Sequence, residues 1–174
     1  MSTFGTQGSH AEVPQPGVDA RRELSAELLG AYVDTEVVGP DGRIWSGVGA
    51  GALDHDVWVI TAENPWSELQ DDDINAAAMA RLEALIGDAG FDPVRLVGRA
   101  ADHSWSEDCY AVAASEPTSV PASPDVRAAG ADARLVLAWG RELGQHAVFL
   151  LTDDRHAVVE CSSGRTLAHR PRTR

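Results

Sequence analysis

The chain contains no lysine. Its fixed cations among 174 residues are 14 arginines, set against 27 aspartates and glutamates, for a formal charge of −13. Without lysine there is no Schiff-base amine and no phosphate-gripping side chain of the Walker type. A negative field of this size repels phosphate backbones and anionic lipid surfaces, so neither nucleic acid nor membrane is expected as a partner. Cysteine is nearly as scarce. Cys109 and Cys161 both lie in strand-like runs; with no export signal the expected compartment is the cytoplasm, where buried thiols stay reduced. No apolar run approaches the roughly 18 residues that suggest a membrane span, and no apolar stretch follows Met1.

Other signatures are missing too. The histidines at 10, 55, 103, 146, 156 and 169 include no pair at i, i+4, and there is no C-x-x-C, so no metal is expected. No G-x-G-x-x-G or Walker pattern opens a helix, which leaves no cofactor to expect, and no G-x-S-x-G elbow presents a serine nucleophile.

What the chain does have is enough apolar side chain, 44% of its residues, for one core. Residues 1–18 lack periodicity and read as a disordered leader, 19–163 as a single domain, and 164–174, with Arg165, Arg170, Arg172 and Arg174, as a flexible basic tail. Leu24, Leu28, Ala31 and Tyr32 repeat at the spacing of one helix face, with Asp19 or Ser25 as the cap. Thr35–Val38 and Arg43–Trp45 flank Gly39-Pro40-Asp41-Gly42, a hairpin turn. The run DVWVITA (56–62) is apolar on both faces, which predicts a central strand. A helix is expected from about Asp72 to Ile86, capped by Asp71 or Asp72 and buried along Ile74, Ala78, Leu82 and Leu85. Strands follow at 93–100 and 105–114, then a loop at 116–131, a helix at 132–143, and a hairpin of 146–152 with 156–162. Clustered hairpins with few helices predict an α+β domain: an antiparallel or mixed sheet of about five to seven strands, with three helices mainly on one face.

Three polar groups stand out. Glu63-Asn64-Pro65-Trp66 leaves the central strand just before a helix, a common place for a site, although Asn64 could simply cap its own turn and Trp66 could be core. Strand alternation puts Trp105, Glu107, Cys109 and Ala111 on one face; if that face is buried, Glu107 needs a partner or a proton. Arg99 is the nearest candidate in sequence and Arg81 another, and such a pair could equally be structural. Gln145, just past Gly144, could satisfy a helix-end carbonyl or reach a pocket shared with Asn64 and Glu107. Cys109 with His103 and Glu107 is a weaker trio, since a cysteine in a strand usually serves as a small buried hydrophobe.

ITAENPW (60–66), the next helix with Asn75 and Leu82, VGR (97–99), WSEDCY (105–110) and GQHAVF (144–149) occur in order. Together they resemble a family of small bacterial proteins known only as a domain of unknown function, over about residues 28–160. That resemblance implies functional positions at Asn64, Asn75, Arg99, Trp105, Glu107 and Gln145. Cys109 stands where the family pattern has serine, which argues against a required hydroxyl nucleophile there. No activity transfers with the resemblance. The expectation is a cytoplasmic accessory or regulatory domain that binds a small polar ligand or a protein partner, in a pocket lined by Asn64, Arg99, Glu107 and Gln145 with Trp66 and Trp105. The alternative is a small enzyme with Glu107 as general acid or base and Arg99 and Asn64 holding an anionic or carbonyl group.

Overall fold

The computed structural model describes residues 24–114 and 131–172. The expected leader, the cap at Asp19 and nearly all of the 116–131 loop lie outside the described residues. Ser25 caps helix α1 (Ala26–Asp34), its hydroxyl oxygen accepting from the Leu28 amide at 3.1 Å. The turn before strand β2 forms as composition predicts: β1 (Glu36–Val38) and β2 (Ile44–Ser46) pair across it, and Asp41 Oδ1 accepts from the Arg43 amide at 2.9 Å.

Strand β3 (Val57–Ile60) is buried at every position. It leads through a short 3-10 turn (Pro65–Ser67) into helix α2 (Asp72–Asp88) and strand β4 (Val94–Arg99). Strand β5 (Ser106–Ala113), helix α3 (Ala131–Glu142) and strands β6 (Ala147–Leu151), β7 (Arg155–Glu160) and β8 (Thr166–Pro171) complete the described chain. All pairings are antiparallel, in the order β2-β1-β4-β5-β3-β6-β7-β8, and the sheet curls into a half-barrel. The fold is thus α+β with an antiparallel sheet, of eight strands rather than the five to seven expected.

The eighth strand comes from the expected tail. Residues 166–171 pair with β7, and two of the tail arginines, Arg170 and Arg172, are structural. Arg172 is buried and donates to the carbonyls of Trp45 (2.8 Å), Thr152 (2.7 Å) and Gly51. Arg170 donates to Thr35 O at 2.8 Å. Alternation in this strand is masked by charge, because long arginines reach past the edge to carbonyls far away in sequence.

β3 and β4 both run antiparallel to β5, so they are parallel to each other and α2 is their crossover. By the same reasoning α3 is the crossover between β5 and β6, which flank β3. The middle of the chain is therefore a β-α-β-β-α-β unit of the split, ferredoxin-like kind, widened by a hairpin at each edge. Both crossover helices lie on one face. There Met79, Leu82 and Ile86 of α2 and Val136 and Trp139 of α3 pack on Trp58, Ile60, Val112, Val148 and Leu150.

Helix α1 covers the opposite face, so two of the three helices share one face, and Tyr32 sits edge-on to Phe149 at 6.0 Å between ring centres. That face carries a second cluster, Val37, Val59, Leu96, Cys109, Ala111 and Leu151. The buried stripe of α2 is also rotated from the expected one: Ile74 is 48% exposed, and Met79 and Ile86 take the inner positions with Leu82. Asp71 precedes the helix but its side chain makes no capping bond, and only its backbone carbonyl accepts from the Asn75 amide.

Candidate functional site

The segment leaving β3 has an unusual backbone. Asn64, Trp66 and Ser67 all have positive φ (47°, 59° and 58°), a region costly for residues with a Cβ, though Asn tolerates it best. Surrounding bonds hold it there. Thr61 Oγ1 donates to Asp108 O (2.8 Å) and accepts from the Glu63 amide (3.0 Å), which ties the segment to β5. The Trp66 amide donates to Gly144 O at 2.8 Å, and Gly144 itself has φ +71°, where a Cβ would also crowd Pro65 at 3.0 Å and Trp66 at 3.1 Å. Several non-glycine residues held in sparsely populated conformations within four positions are typical of ligand clamps and switch regions.

Asn64 is the hub. Its Nδ2 donates to Glu107 Oε1 at 2.8 Å, and its Oδ1 accepts from the Gln70 amide (3.0 Å) and Asn75 Nδ2 (3.2 Å). Its own amide donates to Asn75 Oδ1 at 2.9 Å. Gln145, 5% exposed, donates from Nε2 to Glu63 O at 3.0 Å. Its bland expected role, a carbonyl at the end of α3, is thus replaced by one on the β3 exit loop. These groups form the floor of a cleft of about 420 Å³, with Trp105 and Ser104 on one side and Leu28, Ala31 and Tyr32 of α1 on the other. Tyr32 Oη lies 3.0 Å from Ser67 Oγ, so α1 is latched to the strained segment.

Burial raises the Glu107 carboxyl above the usual carboxylate range, and the Asn64 hydrogen bond opposes that shift only in part. Glu63, on the same cleft, is raised as well, first by burial and then by the charges of Asp108 and Glu107. Tyr32 is raised mainly by burial.

Of the residues singled out from sequence, Asn64, Trp105, Glu107 and Gln145 line this one cleft, and Asn75 supports Asn64 from α2. Arg99 does not join them. Gly98 stands opposite Glu107 in the β4–β5 register, whereas Arg99 stands opposite Ser106 and Glu36, so the pleat sends it to the other face. There its guanidinium pairs with Glu36 at 3.2 Å, and Arg81 pairs with Glu142 at 2.6 Å. The expected Glu–Arg pair is replaced by Glu107–Asn64. Trp66 lies outside the cleft lining, 44% exposed, with its ring edge-on to His146 at 5.3 Å.

Cys109 is 4% exposed and its thiol is driven far up by burial, which disfavours the thiolate a nucleophile needs. Among the described residues no group of three or more His, Cys, Asp or Glu is placed to hold a metal ion. Sequence reading did not assign Tyr32, Ser67 or Leu69 to the site. Tyr32 sits on the same helical stripe as Leu28, a pattern that signals burial but not what lies beneath it.

A family model described as "Protein of unknown function (DUF3293)" matches residues 60–148, about half the chain and inside the 28–160 span suggested by the motifs. The matched segment runs from the end of β3 to the start of β6, and so takes in Asn64, Asn75, Trp105, Glu107 and Gln145. The chain belongs to that family. No match was found among curated proteins or solved structures.

Proposed function

We propose that this DUF3293 protein is a cytoplasmic accessory or regulatory domain that binds a small polar molecule in the cleft between α1, the segment leaving β3 and the start of β5. The observation that carries this reading is the Asn64 hub. A strained left-handed asparagine uses both polar ends of its side chain to fix Glu107, Asn75 and the Gln70 amide beside a cleft of about 420 Å³. A polar network held that rigidly next to an aromatic wall is the arrangement small-ligand pockets use, and the volume lies at the lower end of their range.

A catalytic version has one observation in its favour, the raised carboxyl of Glu107 in a cleft, suited to general acid–base work. It no longer has Arg99 to hold an anionic group, so the binding reading is preferred. Native mass spectrometry of freshly purified protein, repeated after denaturation, tests both. The expected result is a discrete mass excess that is lost on denaturation and is absent from a Trp105→Ala, Glu107→Ala variant that still folds. A mass excess that survives in the variant would place the ligand elsewhere and refute the cleft reading.

A further inference from the structure

The charge inventory of the cleft assigns its ligand class, an inference that rests on the binding reading above. Two acidic residues, Glu63 and Glu107, line the cleft, and among the described residues no arginine or histidine does. Among the described residues, Arg99 pairs with Glu36 on the opposite face, Arg81 with Glu142, and Arg95 with Asp108 while also acting on Glu63 through its charge. Asn64 gives Glu107 a hydrogen bond but no net charge, and the second carboxylate oxygen has no hydrogen-bond partner among the described residues. A half-buried carboxylate in that position is stabilised most by a cation that also donates hydrogen bonds. The two walls supply the rest of such a site. Trp105 and Tyr32 present aromatic surface, which attracts cations, and Leu28 and Leu69 add apolar area. The net charge of −13 further enriches cations near the surface.

We propose that the cleft recognises an organic ammonium, either a small primary or methylated amine or the amino-bearing end of a longer molecule. Its charge sits against Glu107 and its carbon skeleton against Trp105. Anionic ligands meet two acidic residues and no cationic side chain among the described lining residues, and are excluded.

Three probes with one ring and three charges test this on the full chain: benzylamine, benzyl alcohol and benzoate, titrated near neutral pH and followed by 1H–15N NMR. Benzylamine is expected to shift the Trp105 indole N–H and the amides of Asn64 and Glu107. Benzyl alcohol should bind there at least tenfold more weakly, and benzoate should leave those signals unmoved. Glu107→Gln keeps the acceptor for Asn64 and is expected to weaken benzylamine at least tenfold without changing the alcohol; Trp105→Leu should weaken both. If the alcohol or benzoate shifts the same signals as tightly as the amine, or if Glu107→Gln leaves the amine unaffected, the ammonium assignment is wrong while the cleft reading stands. If no probe of any charge moves the cleft signals, the cleft reading fails along with it.

Discussion

Asn64→Ala is the most direct perturbation of this molecule. The substitution removes the hydrogen bonds from Asn64 Nδ2 to Glu107 and to Oδ1 from Gln70 N and Asn75 Nδ2, while leaving the backbone at φ 47°. At about 1 kcal/mol net for each bond, the lost bonds cost about 3 kcal/mol. Alanine in the left-handed region adds about 1 kcal/mol, a cost that asparagine largely avoids. Water reaching the half-buried Glu107 recovers part of this, so the expected loss is about 2–4 kcal/mol. Asn64→Gly loses the same bonds without the backbone term, and should be about 1 kcal/mol less destabilised than Asn64→Ala. Urea unfolding at neutral pH measures both, and the alanine variant should melt roughly 5–15 °C lower for a chain of this size. Asn75→Ala, combined with Asn64→Ala, should fall short of additivity by roughly 0.5 kcal/mol or more, because each residue loses the other's bonds. A loss below about 1 kcal/mol in Asn64→Ala, or a glycine variant less stable than the alanine one, would refute the hub and its strain.

Glu107 is raised above its unfolded value, so the native state favours the protonated acid. The carboxyl's contribution is therefore most favourable below the unfolded value, near 4.5, and is lost as pH rises through the raised native value. Glu107→Gln escapes that loss, so its stability relative to the parent should improve between about pH 4 and pH 7 in urea titrations; a trend in the opposite direction would sink the reading. Arg172→Met should cost about 3 kcal/mol or more in the same assay, because three carbonyls lose a charged donor and at least one is buried with it. Gly140→Ala, which would raise helix propensity by about 1 kcal/mol, is expected to destabilise instead, since its Cβ would run into Cys161 Sγ. Adding Cys161→Ala should restore most of that loss in thermal melts. Ellman's reagent should label Cys109 and Cys161 only after unfolding, both thiols being buried and raised, Cys161 to about 12.

Much of the site was legible because its polar residues interrupt apolar patterns. Asn64 follows a fully buried strand and precedes a proline, and Glu107 alternates in phase with Cys109 and Ala111. A polar residue at such a position has to find a partner, which marks it without naming the partner. The pairing of Glu107 with Arg99 failed because proximity in sequence is not the same as sharing a face. One residue of register separates Gly98, opposite Glu107, from Arg99, and one residue of register reverses the side of the sheet.

Local physics determined the turns, the central strand, both crossover helices and the excess of negative charge. These depend on backbone propensity and apolar spacing over a few residues, which any short window contains. Tertiary structure alone decided that α1 crosses to the face opposite the other helices, that the arginine-rich end becomes an edge strand, and that Asn64 becomes the partner of Glu107. Each of these depends on contacts between segments far apart in the chain, from Asn64–Glu107 to Arg172–Trp45, which form only where burial of a shared core offsets the entropy cost of closing the long loops between them.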